Sequence, residues 1–227
     1  MRFKDVFSII GPGMVGPSSS HTAGAVRLGR VARKLFGALP DKAEITLYGS
    51  FAETYRGHGT DLALIAGLLD FDTDDLRIRR SAELAEEAGL KVTFTTSAKA
   101  VPHPNTARLV LAKGDRQEIV VGSSIGGGNI EITSVNGYDV KFTANYPTLL
   151  VFHKDRPGMI ASITQLLGAQ GVNISFMDVD RKGRMADALT VIETDEHVPD
   201  LLLQVIERLP DVERVVQLDL TGKEVSS

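Results

Sequence analysis

The sequence predicts an α+β chain of two domains, a mixed α/β domain over residues 1–146 followed by a ferredoxin-like βαββαβ domain over residues 147–222. Three observations predict it. The length of 227 residues exceeds the roughly 100 to 150 of a usual single domain. Helix and strand patterns alternate irregularly at first and then fall into βαββαβ order over about the last 75 residues, the split-βαβ arrangement. A hydrophobic share of 43% against 24% charged residues is that of a globular chain, with no apolar run near the roughly 20 residues that span a bilayer.

From the N-terminus, a first segment to Ile10 ends in a loop of Gly11, Pro12, Gly13, Gly16 and Pro17, then Ser18, Ser19, Ser20, His21 and Thr22. A helix starts there, capped by one of the serines, with Ala25, Leu28, Ala32, Leu35 and Phe36 at helical spacing and Gly37 as its stop. Glu44 to Ser50 alternates as a strand, and a loop holding Gly57, His58, Gly59 and Thr60 leads into a helix from Asp61 to Leu69. Asp72 to Gly89 reads as an interrupted polar helix, and Lys91 to Ser97 as a strand. Ala107 to Ala112, Glu118 to Ser124 and Ile130 to Val135 are further strands, and Asn136-Gly137 is a hairpin signal returning through Tyr138 to Thr143. In the second domain Thr148 to His153, Val172 to Asp180, Met185 to Thr194 and Val212 to Leu220 are strands. The helices follow Pro157-Gly158 to Gln170 and run from Pro199 to Leu209, with Met159, Ile160, Ile163, Leu166 and Leu167 as a core stripe; His153 and His197 read as surface or strand-end residues.

Composition excludes several classes. A net charge of −4, 6% aromatics and no tryptophan argue against nucleic-acid binding. Asp5 within the first apolar stretch argues against a signal peptide, so a cytoplasmic protein is expected. Zero cysteines exclude a disulfide framework and any thiolate-held zinc or iron-sulfur cluster on this chain, and the five histidines lack metal-ligand spacing.

Leu149-Leu150-Val151, then Asp155-Arg156-Pro157-Gly158-Met159-Ile160, then Gly171-Val172-Asn173-Ile174 resembles an ACT domain, the amino-acid-binding module of metabolic enzymes. Upstream, Gly16-Pro17-Ser18-Ser19-Ser20-His21-Thr22 and Gly57-His58-Gly59-Thr60-Asp61 together resemble the β region of bacterial iron-sulfur L-serine dehydratases, an allosteric-substrate-binding type domain followed by an ACT domain. The family's catalytic α region with its cluster-binding cysteines is absent, so the resemblance implies a separate β subunit. It also implies an α partner carrying a [4Fe-4S] cluster, L-serine as substrate and regulator, and a homodimer. The ACT-like domain is expected to bind an amino acid, a monovalent cation or nothing.

Dehydrating serine removes a Cα proton and expels a poor leaving group, so it calls for a base and a Lewis acid. His21 and His58 are the candidate catalytic groups, since imidazole titrates near neutrality, and which of them is the base is left open. Ser18, Ser19, Ser20, Thr22, Gly59 and Thr60 are candidate substrate contacts, because a helix start presents unpaired N–H groups to a carboxylate. His103, Asn105, Thr106, Gly126, Gly127 and Gly128, with Asp155, Gly158 and Asn173 of the ACT-like domain, are candidate effector contacts. The plain reading of each loop is a capped helix or solvated turn, and a phosphate seat is disfavoured by the lack of a Walker-type Gly-Lys-Ser/Thr. Two rivals stand beside the dehydratase subunit: a non-catalytic amino-acid sensor, and a regulatory fragment related to phosphoglycerate dehydrogenase.

Overall fold

The computed structural model describes residues 18–220, so the expected first segment to Ile10 and the loop through Pro17 lie outside the described residues. Two compact units divide at Asn136/Gly137.

In the N-terminal unit a wide π-helical turn, Ser19–Ala23, runs into α1 (Gly24–Phe36), which Gly37 ends in the left-handed conformation as expected. β1 (Lys42–Tyr48) is followed by α2 (Gly49–His58), then α3 (Thr60–Leu68). This corrects the sequence reading, which placed Gly57 and His58 in a loop; His58 is the last residue of a helix. A short 3-10 turn (Leu76–Arg80), α4 (Ser81–Glu87) and β2 (Lys91–Ser97) complete the crossover. β3 (Thr106–Lys113), β4 (Arg116–Gly126) and β5 (Asn129–Val135) follow. The sheet order is β2-β1-β3-β4-β5, with β1 parallel to β2 and the other pairs antiparallel.

α1 buries Leu28, Val31, Ala32, Leu35 and Phe36, and Ile45, Leu47, Leu109, Leu111, Val120, Ile130 and Ile132 of the sheet are buried too. Each such aliphatic or aromatic side chain contributes about 1.5–3 kcal/mol. α1 and α3 lie backbone to backbone, because a Cβ on Gly29 would fall 2.4 Å from the Leu64 carbonyl oxygen and one on Gly67 2.1 Å from that of Val26. Arg30, nearly buried, ties α1 to the segment after α3 through Asp70 at 3.2 Å and Asp72 at 3.1 Å.

Asn136 and Gly137, with φ of 51° and 74°, make the expected hairpin turn. The strand it starts is β6 (Tyr138–Phe142), which follows the division at Asn136/Gly137. There β7 (Thr148–Lys154), α5 (Met159–Ala169), β8 (Ile174–Arg181), β9 (Asp187–Thr194), α6 (Asp200–Glu207) and β10 (Val212–Leu218) give the ferredoxin-like sheet order β10-β7-β9-β8. One face packs Leu149, Val151 and Ile192 against Met159, Ile163, Leu167, Leu202 and Ile206 of the two helices. On the other face, Asp180, Asp178 and Glu193 accept the backbone N–H groups of Asp139, Lys141 and Thr143 at 2.8, 3.0 and 3.1 Å. Alternate N–H groups of a strand point the same way, so three carboxylates hold one edge of β6.

His153, of the two expected places, takes the strand end: it is the penultimate residue of β7, and it is buried. Its Nδ1 lies 2.8 Å from the Lys154 carbonyl, which only accepts, so Nδ1 carries the proton and Nε2 accepts from Thr190 Oγ1 at 2.8 Å. Thr190→Val therefore orphans a buried acceptor and is expected to cost about 1–3 kcal/mol. The check is the chemical-denaturation midpoint of the variant against the parent. Among the described residues no helix is long and apolar enough to cross a membrane.

Candidate functional site

The site is built on the two helix starts and one helix end that surround His21. Ser18 is extended (φ −141°, ψ 123°), and its Oγ accepts the His21 backbone N–H at 3.2 Å, which caps the turn. The turn is then wider than an α-helix, the Gly24 N–H reaching back to the Ser19 carbonyl. Gly24 permits this, since a Cβ there would overlap Ser124 Oγ at 2.0 Å.

The His21 ring is held on three sides. Nδ1 faces Ser18 Oγ at 3.4 Å, Nε2 faces Ser50 Oγ at 3.3 Å, and the ring meets Phe51 edge-on with centroids 5.3 Å apart. On the remaining side stands His58, 4.8 Å away between centroids and inclined at 74°. Burial, and then the neighbouring His58, lower the His21 pKa below its ordinary 6.5. His58 is exposed at the end of α2, where Gly59, left-handed at φ 69°, both closes α2 and opens α3.

The lowered pKa carries a sign. As pH falls below 6.5 the His21 ring protonates in the unfolded chain before it does in the folded one. Its contribution to stability is therefore complete above 6.5 and is lost as pH falls through the folded value. His21→Gln is expected to flatten that part of the acid decline, as read by denaturant melts at neutral and mildly acidic pH.

The candidate substrate contacts divide. Ser19 and Ser20 are half-exposed, whereas Thr22 and Thr60 are buried and their Oγ1 atoms have no hydrogen-bond partner among the described residues. Among the candidate effector residues, Thr106 Oγ1 donates to the His103 carbonyl at 2.6 Å and lies 2.7 Å from Ser123 Oγ, and Asn105 N–H donates to His103 Nδ1 at 3.2 Å. The Ser124 N–H bonds the Asn105 carbonyl at 2.9 Å, which joins this loop to the strand leading into the glycine run. Gly126, Gly127 and Gly128 all have positive φ. A cavity of about 620 Å³, large enough for a small molecule, touches this loop only at Pro104; its other walls are Gly49, Ala52, Glu53 and residues 96–101.

In the C-terminal unit Asp155 accepts from Arg181 Nη1 at 2.9 Å and from the Met185 N–H at 3.2 Å, and the Arg181 bond holds its carboxyl below the usual range. Asn173 Nδ2 donates to Asp195 at 2.6 Å, and Gly158 opens α5 with φ 88°. Ser50, Phe51 and Ser124 escaped the sequence reading. A strand ending on glycine and then serine was the available signal for Ser50. Among the described residues no three histidine, aspartate or glutamate side chains are grouped to hold a metal ion.

A family model described as serine dehydratase beta chain matches residues 3–134, and one described as ACT domain matches residues 147–211. The chain belongs to the serine dehydratase beta chain family. The "Probable L-serine dehydratase, beta chain" of Bacillus subtilis (strain 168) is 45% identical over 218 residues, covering 96% of this serine dehydratase beta-type chain and 99% of the relative. The L-serine dehydratase beta chain of Peptoniphilus asaccharolyticus is 39% identical over 209 residues, 91% of this chain and 94% of that one. D-3-phosphoglycerate dehydrogenase of Synechocystis sp. is 30% identical over 192 residues, 83% of this chain but 34% of the dehydrogenase. The serine dehydratase beta chains are thus matched from end to end, and the dehydrogenase over about a third of its length.

Proposed function

We propose that this chain is the β subunit of an L-serine dehydratase, which converts L-serine to pyruvate and ammonia together with an α subunit. The observation that carries the proposal is the edge-on approach of His21 and His58 at 4.8 Å, in a chain resembling dehydratase beta chains over nearly its whole length. A thiolate-held [4Fe-4S] cluster does not fit on a chain with no cysteine, so in this reading it belongs to the α subunit. There it would supply a Lewis acid for the departing hydroxide.

The chain's own part is proton chemistry and positioning. The reaction breaks the Cα–H and Cβ–O bonds of serine to give 2-aminoacrylate, whose imine form hydrolyses to pyruvate and ammonia. His58, exposed and with no hydrogen-bond partner for its ring nitrogens among the described residues, is the group free to take the Cα proton. His21, buried further and engaged at both nitrogens, stays neutral and fixes the position of His58. Ser19 and Ser20, in the turn that opens α1, offer a hydroxyl and N–H seat for the substrate carboxylate.

Regulation by serine and a homodimer belong to the same proposal. Asn105 Oδ1, buried without a partner among the described residues, supports the effector reading of its loop. A ligand at Asp155 or Asn173 has to displace Arg181 or Asp195.

Co-purification with the α subunit under anaerobic conditions, followed by a serine-to-pyruvate assay, tests the proposal. Activity is expected only when both chains are present. An α subunit that turns over at the full rate alone removes this chain from the active site.

A further inference from the structure

We propose that Ser50 is a positioning residue of the dehydratase site, holding His21 in the Nε2–H tautomer. The inference rests on the dehydratase reading for its effect on turnover, but not for its structural content.

Ser50 sits in the first turn of α2, half-buried, and its own placement is fixed from three directions. Gly49 takes φ 51° and lies so close to Pro104 that a Cβ would be 2.6 Å from the Pro104 carbonyl oxygen. The Phe51 N–H donates to that same carbonyl at 3.4 Å, and Thr54 Oγ1 donates to the Ser50 carbonyl at 2.7 Å. The hydroxyl is therefore delivered to His21 by backbone constraints on both sides.

The assigned direction starts from the opposite nitrogen. Ser18 Oγ already accepts the His21 backbone N–H at 3.2 Å, so its own hydrogen is available to Nδ1 at 3.4 Å. With that hydrogen given to Nδ1, Nδ1 is the acceptor, and the tautomer assigned here carries its proton on Nε2, which donates to Ser50 Oγ at 3.3 Å. Neither partner is a carboxylate. Two hydroxyls bring no negative charge to the ring, so His21 stands as a neutral neighbour 4.8 Å from His58.

Two readouts test this. Long-range ¹H–¹⁵N spectra of the full-length chain report the His21 tautomer without any activity. The parent and Ser50→Thr are expected to show Nε2–H, and Ser50→Ala a mixture or the other tautomer. In the assembled complex Ser50→Ala is expected to lower kcat about 10- to 100-fold with KM changed less than about threefold, and Ser50→Thr to recover most of that loss. Should Ser50→Ala fail to fold, Ser50→Cys, similar in size and a weak acceptor, takes its place. A parent His21 found as Nδ1–H, or a Ser50→Ala chain with unaltered tautomer and kcat, overturns the proposal; so does a Ser50→Thr complex no better than Ser50→Ala. A parent complex that makes no pyruvate refutes the dehydratase reading instead, and the spectra then decide for Ser50 alone.

Discussion

Replacing His58 with alanine is expected to lower kcat for pyruvate formation in the assembled complex by about 10²- to 10⁴-fold, the usual contribution of a positioned general base. That corresponds to roughly 3–5 kcal/mol of transition-state stabilisation. KM should change far less, because the ring meets the substrate in proton transfer and the carboxylate seat lies on the other helix start. His21→Ala should also be severe, since it removes the ring that stands against His58. The sensor reading predicts a different pattern. If the two imidazoles serve only to register an amino acid, the serine dependence of activation shifts and the maximal rate stays as it was. Initial rates at saturating serine separate the two, and a kcat within threefold of the parent for both variants removes the histidines from the chemistry.

The same pair shows how far the sequence could be read. The His21 turn and the helix starts after it and after His58 are legible from local residue types: serines that cap, glycines that break, and apolar spacing beyond. Their meeting was inferred from resemblance, because the contact spans residues far apart in the chain. The helix Gly49–His58 was not legible. Only Phe51 of its ten residues is buried, so it has no apolar stripe, and its start is a left-handed glycine after a strand rather than a serine or aspartate cap. Ser50 consequently reads as a strand end, and its bond to His21 is invisible in the sequence. Strand β2 and the Asn136-Gly137 turn were read correctly because backbone conformation there is set by the residues themselves. The carboxylates that hold Tyr138–Phe142 are not legible, since Asp178, Asp180 and Glu193 lie some forty to fifty residues downstream.

Gly67→Ala is expected to destabilise the N-terminal unit by more than about 3 kcal/mol and to lower its Tm by more than about 10 °C. A Cβ at this position would lie 2.1 Å from the Val26 carbonyl oxygen and 2.7 Å from the Arg30 backbone nitrogen. Both are backbone atoms of α1 and cannot swing aside as a side-chain tip would, so α1 and α3 must separate. Separation also carries a functional cost. The turn bearing His21 is the N-terminal extension of α1, and Gly59, next to His58, is the residue on which α3 begins. Prying the helices apart shifts one ring relative to the other, so the fraction of Gly67→Ala that remains folded should show a depressed kcat. Gly57→Ala is the control. It lies in α2, one residue from His58, and a Cβ there meets nothing within 4 Å. Replacing a helical glycine in open space should add about 0.5–1 kcal/mol through helix propensity alone. Thermal melts of the two variants should therefore move in opposite directions. Equal shifts would mean that loss of glycine flexibility, and not the contact between α1 and α3, sets the stability of this half of the protein.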